Sequence, residues 1–451
     1  MQFRIPWILS RKRLIAATLL DSVIFIASYT FSFRLSFERW PDLNFSIAFF
    51  LIYWLIVSYV IGRYPRSHHP PQISTLLNIS QQLFKTLFVA LLSTCCIIVY
   101  YNFFKLTNSV ESVNIFLLQS GILFCIISSS SQVLFDDWIR RNSKKNNLWT
   151  FIGSQNNFHK LQNYLQWSRV PAKLYFAEID NLNICSSLQI VVDNYTDYNK
   201  SQLDKLLHFQ QTGITIITKY SWCKLILQRF PPDLLTEVEL LRGEFSMPQS
   251  NLQTRIKRLG DVIISLLLLI SSFPLIFFSC FLIFLEDGNP IFYSQIRSGL
   301  SGKSYRVWKL RTMYRDSEKN GPQWGMKTDP RVTKIGYFLR KFRIDELPQL
   351  LCVLNGTMSL IGPRPERPEF DVQLEAELPF YKLRYKMRPG LSGWAQVNYP
   401  YGASVKDSAN KLSYDLYYLR NASLWLDLLI LVKTIRLVFN AQGSIPVDKI
   451  N

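Results

Sequence analysis

Histidine is scarce in this sequence: there are four among 451 residues, and none lies after His208. The C-terminal half therefore lacks the side chain that serves as base in Ser-His-Asp and Cys-His nucleophile systems. The same absence excludes a histidine-ligated zinc site from that half. Carboxylate and arginine chemistry remains, and this chemistry is typical of sites that bind phosphates and magnesium.

The seven cysteines are scattered, and no two of them stand in a Cys-x-x-Cys motif. Metal sites and disulfide frameworks normally show such a repeated spacing. We therefore expect neither a structural zinc nor a fold that depends on disulfides. A chain of 451 residues is long enough for two or three domains with hydrophobic cores of their own.

No glycine lies between Gly153 and Gly213. Around and within this stretch, four short apolar segments read as strands: LWTFIGS, AKLYFAEI, LQIVVDN and GITIITK. The segments DKLLHFQQ and WCKLILQRF read as helices, so the pattern predicts a Rossmann-like α/β domain over residues 146–245. A dinucleotide site would need a G-x-G-x-x-G loop, which the missing glycines exclude. We expect a structural or regulatory domain without a bound dinucleotide.

Hydrophobic residues and positive charge are both abundant. The chain is 48% hydrophobic and carries a formal net charge of +19. This combination indicates a membrane protein with acidic partners, such as anionic lipids or phosphorylated substrates. The basic residues lie among apolar segments and prolines, and no nucleic-acid-binding module is recognisable, so we expect no binding of nucleic acid.

Four apolar stretches occupy the first third of the chain: Leu14–Phe33, Phe45–Ile61, Leu87–Phe104 and Val113–Phe135. Each reaches or approaches the roughly 20 residues that a spanning helix needs. They predict an N-terminal bundle of four transmembrane helices within residues 1–140, and the flanking basic residues place both of its ends in the cytoplasm. Asp21 lies inside the first stretch. We expect it to serve helix packing, with a proton or ion site as the alternative.

A fifth apolar stretch, Val262–Leu285, contains 24 residues without a charge. One straight helix of that length would measure about 36 Å, enough to cross a bilayer. Crossing would carry the basic residues that follow to the outside, against the positive-inside rule. Pro274 stands in the middle, where it interrupts helical hydrogen bonding. We therefore predict a re-entrant helix that bends at Pro274 and returns to the cytoplasmic side, with a kinked fifth span as the alternative.

The segment FRIDELPQLLCVLNG places Asp345 and Glu346 side by side at the start of an apolar helix of about ten residues. Asp345 suits the N-cap position, Pro348 is tolerated in the first turn, and Asn355-Gly356 is a stop signal. Neighbouring residues on a helix diverge by about 100°, so the two carboxylates can have separate roles. Basic residues upstream and the helix N-terminus should keep both ionised. Ionised aspartate is a nucleophile towards phosphorus, and glutamate is a ligand for Mg²⁺; a plain N-cap is the alternative.

Arginine-containing motifs accompany these carboxylates. From Arg255 to the C-terminus, 28 lysines and arginines face 17 aspartates and glutamates, a net charge of +11. In GPRPE, prolines on both sides of Arg364 fix the backbone that carries it, which suits bidentate phosphate recognition. Arg311 lies in KLRTM and Arg343 just before the carboxylates. Downstream, the glycines of MRPGLSGWAQV allow tight turns close to a ligand.

From about Thr254 to Phe439 the chain resembles the bacterial sugar transferases, which are polyprenyl-phosphate hexose-1-phosphate transferases of the monotopic phosphoglycosyl transferase superfamily. The resemblance rests on KRLGD, KLRTM, TDPRVTKIGYFLRKFRIDELPQL, GTMSLIGPRPE, RPGLSGWAQV and YDLYYLRNASLWLDLLILVKT. The remainder is similar to the enlarged branch that initiates exopolysaccharide and O-antigen synthesis. This implies a mainly α catalytic domain over residues 254–451 that contains the re-entrant helix 262–285.

The resemblance also implies a reaction and a site. Asp345 would attack the β-phosphorus of a UDP-sugar, UMP would leave, and undecaprenyl phosphate would take the sugar phosphate from the aspartyl intermediate. Glu346 would be the Mg²⁺ ligand. The residues that the resemblance assigns to substrate binding are Arg343, Arg364, Arg311, Lys257, Arg258 and Asp261.

The implied location is the bacterial inner membrane, with the catalytic domain on its cytoplasmic face. The implied pathway step is the first membrane step of exopolysaccharide, capsule or O-antigen synthesis. UDP-glucose and UDP-galactose are the expected donors, an N-acetylated sugar is the alternative, and a homodimer is suggested. Two other functions stay open: a polytopic phosphosugar transferase, which would need many more spans, and a non-catalytic scaffold of a polysaccharide assembly complex.

Overall fold

The computed structural model describes residues 12–41, 45–61, 63–64, 85–90, 92–93, 110–142, 148–167, 172–181, 189–241, 251–315, 317, 329–399 and 404–439. The chain divides into two compact units, Met1–Leu227 and Gln228–Asn451. The limits of the three predicted domains remain predictions.

Three of the four predicted apolar stretches form helices in the first unit. These helices are α1 (Lys12–Phe37), α2 (Phe45–Ile61) and α3 (Val110–Asn142). In α1, Leu14–Phe37 is long and apolar enough to cross a membrane, whereas the apolar parts of α2 and α3 are shorter. Most of the remaining stretch, Leu87–Phe104, lies outside the described residues. The predicted bundle of four spans is therefore not confirmed.

The buried carboxylate of Asp21 joins these helices. It forms an ion pair with Arg63, and both side chains are fully buried. It also accepts hydrogen bonds from Ser128 Oγ at 2.5 Å and Gln132 Nε2 at 3.0 Å, both in α3, and from Trp54 Nε1 of α2 at 3.3 Å. A buried charge is tolerated when it is paired and hydrogen-bonded in this way. The contacts support the helix-packing role expected for Asp21.

The α/β part of the first unit contains a parallel four-stranded sheet, as predicted. Its strands are β1 (Leu148–Ile152), β2 (Lys173–Phe176), β3 (Gln189–Val192) and β4 (Thr215–Thr218), in the order β2-β1-β3-β4. Its helices are α4 (Gln155–Trp167), α5 (Lys200–Gln211) and α6 (Lys219–Trp222), followed by a π-helical turn at Cys223–Leu227. Ile190, Val192 and Phe209 belong to its apolar core. The sequence analysis did not predict helix α4, although its buried residues Phe158, Leu161 and Leu165 stand at helical spacing.

An ion pair fills the end of this sheet beside the first and third strands. Parallel α/β domains usually bind their ligands at such a point. Here Asp193 follows β3 and forms an ion pair with Lys219 Nζ at 2.6 Å, and both side chains are at most 3% exposed. Asn157 of α4 donates a hydrogen bond to Asp193 Oδ2 at 2.7 Å. Gly153 gives this carboxylate room, since a Cβ there would lie 2.4 Å from Asp193 Cβ.

The second unit is mainly helical, with two pairs of short strands. Its helices are α7 (Glu237–Leu241), α8 (Asn251–Asp287), α9 (Lys334–Lys341), α10 (Leu350–Leu354), α11 (Pro368–Glu377), α12 (Trp394–Asn398), α13 (Val405–Asn421) and α14 (Leu424–Phe439). The strands β5 (Phe292–Ser298) and β6 (Ser304–Leu310) pair antiparallel, and β7 (Ser359–Ile361) and β8 (Gly390–Ser392) pair parallel. The unit also contains two 3-10 helices, Ile344–Gln349 and Tyr381–Lys386, and the first of them carries Asp345 and Glu346.

Helix α8 runs without interruption through Pro274. Its segment Leu252–Asp287 is long and apolar enough to cross a membrane, and 11% of its most apolar window is buried. Large side chains on it are exposed, among them Phe273 at 64% and Phe277 at 70%. An apolar surface of this size needs a partner, and lipid is the obvious one. Helix α8 is a candidate membrane helix, but the predicted re-entrant hairpin is not confirmed.

An apolar cluster connects the end of α8 to the segment that carries Asp345 and Glu346. Ile283 of α8, Leu310 of β6, Leu339 of α9 and Ile344 of the first 3-10 helix are its buried members. Burying such side chains stabilises each by about 1.5–3 kcal/mol relative to exposure. The burial of Ile344 fixes the position of the two carboxylates that follow it.

Candidate active site

Asp345 and Glu346 are the second and third residues of the 3-10 helix Ile344–Gln349, which continues into α10. The helix begins two residues earlier than predicted, because Arg343 adopts a left-handed conformation (φ 57°) and takes the N-cap position. Asp345 is therefore not the N-cap, and its carboxylate is free of that role. The predicted stop is confirmed by Gly356, which has a φ of +89°.

Three cations surround the carboxylate of Glu346. Lys309 Nζ lies 2.9 Å and Arg364 Nη2 lies 2.6 Å from Glu346 Oε1. Arg343 Nη1 lies 3.7 Å from Oε2. Burial alone would raise the pKa of Glu346, but these three cations outweigh it and hold the pKa well below its usual value. Glu346 is therefore ionised and its charge is compensated.

Asp345 is adjacent in sequence but has a different environment. The residue is 7% exposed. Within the described residues no side chain donates a hydrogen bond to its carboxylate or forms an ion pair with it, in contrast to Glu346. Burial, and then the charge of Glu346, raise the pKa of Asp345 to about 6. The group is still ionised at neutral pH, although its surroundings raise the pKa where the sequence suggested the opposite.

The loop that carries Arg364 is held by the chain behind it. Gly362 N donates to Ser392 O at 2.9 Å, and Gly390 N donates to Pro363 O at 2.8 Å. A Cβ on Gly390 would lie 2.1 Å from Gly362 N, so β7 and β8 approach closely only because these residues are glycines. The glycines of the RPGLSG motif were expected to form tight turns near a ligand. They instead allow the close packing that supports the Arg364 loop.

The three predicted site residues of the KRLGD motif lie elsewhere. Lys257 Nζ forms an ion pair with a carboxylate of α14 at 2.9 Å. Arg258 donates to the carbonyls of the last two residues of α10 at 2.6 and 2.8 Å. Asp261 accepts a hydrogen bond from Ser359 Oγ of β7 at 2.7 Å. These contacts attach α8 to the elements around the site, and they do not bring the three residues to the carboxylates.

Arg311 is also separate from the carboxylates. Its Nη2 donates to the carbonyls of Asp287 at 3.0 Å and Gly288 at 2.6 Å, and it forms an ion pair with Asp287 Oδ2 at 3.2 Å. The last carbonyls of a helix lack intrahelical partners, and a cation there is stabilising. The observed contacts make Arg311 a cap of α8 and do not support its predicted role as a phosphate ligand.

Lys309 belongs to the site, although the sequence reasoning did not include it. It stands two residues before Arg311 in the same KLRTM motif. Residues two apart on a strand share one face, so the motif offered both cations as candidates. Burial lowers the pKa of Lys309, while the charge of Glu346 acts in the opposite direction. The packing of β6 against the 3-10 helix Ile344–Gln349 places Lys309 beside Glu346, and no local sequence signal could show this.

The two carboxylates fit a magnesium ion. Mg²⁺ is commonly bound by one or two carboxylates, with substrate phosphates and water as the other ligands. Among the described residues no group of three or more His, Cys, Asp or Glu side chains could hold a metal alone. Glu346 Oε1 already accepts from two cations, so Oε2 is the oxygen with more room for a metal. These residues would hold Mg²⁺ jointly with a phosphate ligand.

The arrangement suits nucleophilic attack on a phosphate. It combines a carboxylate to which no described side chain donates a hydrogen bond, an adjacent ionised carboxylate, and three cations within one cluster. Cations that are already in place stabilise charge that develops on a transferring phosphoryl group.

Comparison with known proteins places this site in a family. The profile of the bacterial sugar transferase family matches residues 252–441, which include every residue of the site. The UDP-N-acetylgalactosamine-undecaprenyl-phosphate N-acetylgalactosaminephosphotransferase of Aeromonas hydrophila is 43% identical over 199 residues, covering 44% of this chain and 47% of the relative. The UDP-glucose:undecaprenyl-phosphate glucose-1-phosphate transferase of Caulobacter vibrioides is 39% identical over 215 residues, covering 46% of this chain and 79% of the relative.

The protein of Escherichia coli with the same name as the Caulobacter relative is 34% identical over 193 residues, which cover 42% of each chain. The match therefore spans less than half the length of the Aeromonas and Escherichia relatives, and most of the Caulobacter one.

Proposed function

Because the chain belongs to the bacterial sugar transferase family, we propose that it transfers a hexose 1-phosphate from a UDP-sugar to undecaprenyl phosphate and releases UMP. The observation that carries this proposal is the environment of Asp345. It is buried, it accepts no hydrogen bond from the described side chains, and it lies beside a carboxylate that three cations hold. The names of the relatives support undecaprenyl phosphate as the acceptor.

The reaction has two steps. In the first, a carboxylate oxygen of Asp345 forms a bond to the β-phosphorus of the donor, and the bond from that phosphorus to the bridging oxygen breaks. UMP leaves with the electron pair. In the second, a phosphate oxygen of undecaprenyl phosphate attacks the same phosphorus and releases the Asp345 carboxylate. The product is undecaprenyl-diphosphate sugar, and no oxidant or further reactant is needed.

The cations around Glu346 supply the electrostatic stabilisation. The side chain of Arg364 is 32% exposed, the most of the three, so it is the cation most able to turn towards a donor phosphate. Lys309 and Arg343 then keep the charge of Glu346 compensated. Magnesium, when bound, neutralises charge on the donor diphosphate. Glu346 is the residue that we expect to hold it.

The donor is a UDP-hexose in this proposal, with glucose or galactose preferred and an N-acetylated hexose as the alternative. The relatives include enzymes named for glucose and for N-acetylgalactosamine. The described contacts of Asp345 and Glu346 concern phosphate chemistry, which every UDP-sugar shares. Which sugar is transferred is therefore determined by assaying the UDP-sugar donors side by side.

The site would lie at the cytoplasmic surface of the bacterial inner membrane, in the first membrane step of exopolysaccharide, capsule or O-antigen synthesis. Helix α8 supports this placement, because its exposed apolar surface lies next to the segments that carry the carboxylates. In the proposed topology the chain re-enters at Pro274 and both ends of α8 face the cytoplasm. Single cysteines at positions 253 and 289, in a cysteine-free background, would both be labelled only from the cytoplasmic side. Labelling of position 289 from the outside would show a span instead.

The test of the proposed reaction is UMP release by the purified full-length protein in detergent. The assay contains Mg²⁺, undecaprenyl phosphate and one of several UDP-sugars. We expect release with a restricted set of donors, and its loss in Asp345→Asn. Undiminished release by that variant would contradict the role of Asp345. No release with any donor would favour a scaffolding function.

A further inference from the structure

A second buried arginine lies behind the Arg364 loop. Arg384, in the 3-10 helix Tyr381–Lys386, is 9% exposed. Its Nη2 donates to the backbone carbonyl of Arg364 at 2.6 Å and to Asp415 Oδ2 at 3.2 Å. Its Nη1 donates to the hydroxyl of Tyr381 at 2.5 Å. One rigid guanidinium thus connects the Arg364 loop to α13 and to its own helix.

The groups that hold Arg384 are themselves fixed. Asp415 is 3% exposed, and its ion pair with Arg384 is buried. The Tyr381 hydroxyl donates to Asp371 Oδ1 of α11 at 2.6 Å. A buried polar group that is held by several hydrogen bonds has little freedom to move. Arg384 can therefore act as a fixed support.

The bond to the Arg364 carbonyl determines where the Arg364 side chain begins. Prolines flank Arg364 and limit its backbone, and Arg384 holds the peptide group that follows it. From this fixed backbone position the Arg364 guanidinium reaches Glu346 Oε1 at 2.6 Å. The hydrogen bonds from Arg384 to Asp415 and to the Arg364 backbone thus lead to the Glu346 carboxylate, and Arg384 meets the site through Arg364.

We propose that Arg384 is a positioning residue that, braced by Asp415, fixes the backbone of Arg364 so that its guanidinium meets the donor phosphates. This inference rests on the proposed transfer from a UDP-sugar and adds to it a residue outside the site itself. Lysine cannot replace Arg384 fully, because a single ammonium group lacks the planar fork that reaches three acceptors in different directions.

A double-mutant cycle tests the proposal. The variants are Arg364→Ala, Arg384→Lys and the two combined, each compared by kcat/KM for UMP release and by the Kd of UDP. With Arg364 present, Arg384→Lys should lower kcat/KM roughly tenfold or more, since small misplacements of a catalytic group have effects of this size. In the Arg364→Ala background the same change should have almost no effect, because Arg384 acts only through Arg364.

Asp415→Asn provides a second route to the same result, because it loosens Arg384 and leaves it in place. Its loss of kcat/KM should also disappear in the Arg364→Ala background. The matched control is Lys382→Gln, which removes a charge from the same 3-10 helix at a side chain that is 75% exposed. The control should resemble the unaltered protein in both readouts. Melting temperatures of all variants show which remain folded.

Losses that add in the combined variants would overturn the proposal and leave Arg384 a purely structural residue. If the unaltered protein releases no UMP, the proposed transfer fails, and the cycle on the Kd of UDP still decides the positioning role. A Kd that Arg384→Lys weakens only when Arg364 is present would support it. Equal weakening in both backgrounds would contradict it.

Discussion

Two adjacent carboxylates acquire different chemistry from their surroundings. Glu346 is held by three cations and has a lowered pKa, whereas Asp345 is buried beside it with a pKa raised to about 6. An acceptor group that is buried without donors is energetically unfavourable, and such a group is common where a nucleophile is needed. Replacing Asp345 should therefore remove activity without lowering stability.

Asp345→Asn should abolish UMP release and leave the protein at least as stable as before. The change removes a buried negative charge and keeps the side-chain volume. Melting curves in metal-free buffer, run beside the release assay, measure both effects. A clear decrease in melting temperature would mean that the carboxylate stabilises the fold through contacts of its own.

Substitutions of Arg343 also distinguish an effect on activity from an effect on stability. The left-handed backbone of this residue is strained for any residue but glycine. Arg343→Gly and Arg343→Ala both remove the cation near Glu346, and both should reduce kcat/KM. Only the glycine variant relieves about 1 kcal/mol of backbone strain, so it should melt about 2–4 °C above the alanine variant. Equal melting temperatures would show that the backbone conformation of Arg343 is not strained in the native state.

Sequence patterns predicted the helix that carries Asp345 and Glu346 better than they predicted the side chains that contact these residues. The apolar run after Asp345 predicted a helix that starts near it, because helix signals are local. The left-handed turn at Arg343, which displaced the predicted cap, depends on packing of Ile344 in the core. Lys309 reaches Glu346 through the packing of β6 against the 3-10 helix Ile344–Gln349, a long-range contact that no local pattern encodes. Arg311 of the same motif caps α8, and its phosphate-binding role remains a prediction.

At the scale of elements, α8 is attached to the catalytic unit through its first turns and its last. Arg258 reaches the carbonyls at the end of α10, and Glu286 accepts from the N-terminal amides of α9, the nearest being Lys334 N at 2.9 Å. These are the groups that a helix leaves unpaired at its two termini. The KRLGD motif therefore connects a candidate membrane helix to the segment that carries the carboxylates.

Arg258→Met should lower stability and leave the KM for the donor nearly unchanged. It removes two charge-assisted hydrogen bonds, each worth about 1.5–3 kcal/mol. The matched control is Arg255→Met, on an exposed residue one turn earlier in α8, which should melt normally. A raised KM at unchanged stability would instead favour the substrate-binding role that the sequence resemblance implied for Arg258.

The buried ion pair between Lys219 and Asp193 in the α/β sheet also gives a prediction about stability. Lys219→Met leaves Asp193 buried and unpaired, which should destabilise this sheet by about 3–5 kcal/mol. Adding Asp193→Asn should restore most of the loss. Removing the exposed pair through Lys205→Met should change stability by no more than about 1 kcal/mol. Hydrogen exchange of peptides from β1 to β4 measures these effects, and equal protection in all variants would show that the pair is not structural.

At the scale of the whole molecule, the chain combines candidate membrane helices, a parallel α/β sheet and a transferase unit. Hydropathy and strand periodicity indicated the membrane helices and the sheet, because these signals are strong over long segments. The family of the C-terminal unit was indicated by the resemblance of its motifs. The number of spans and the course of α8 relative to the bilayer depend on lipid and on packing, and they remain predictions. The homodimer also remains a prediction, which the mass of the protein in detergent would decide.

The covalent intermediate is the most direct test of the central claim. The protein is incubated with Mg²⁺ and its UDP-sugar without acceptor, quenched and digested, and the peptide that contains Asp345 is examined by mass spectrometry. We predict a peptide heavier by one sugar phosphate, which disappears after addition of undecaprenyl phosphate and is absent in Asp345→Asn. UMP release and product formation without any modified Asp345 peptide, under conditions that preserve acyl phosphates, would contradict the account.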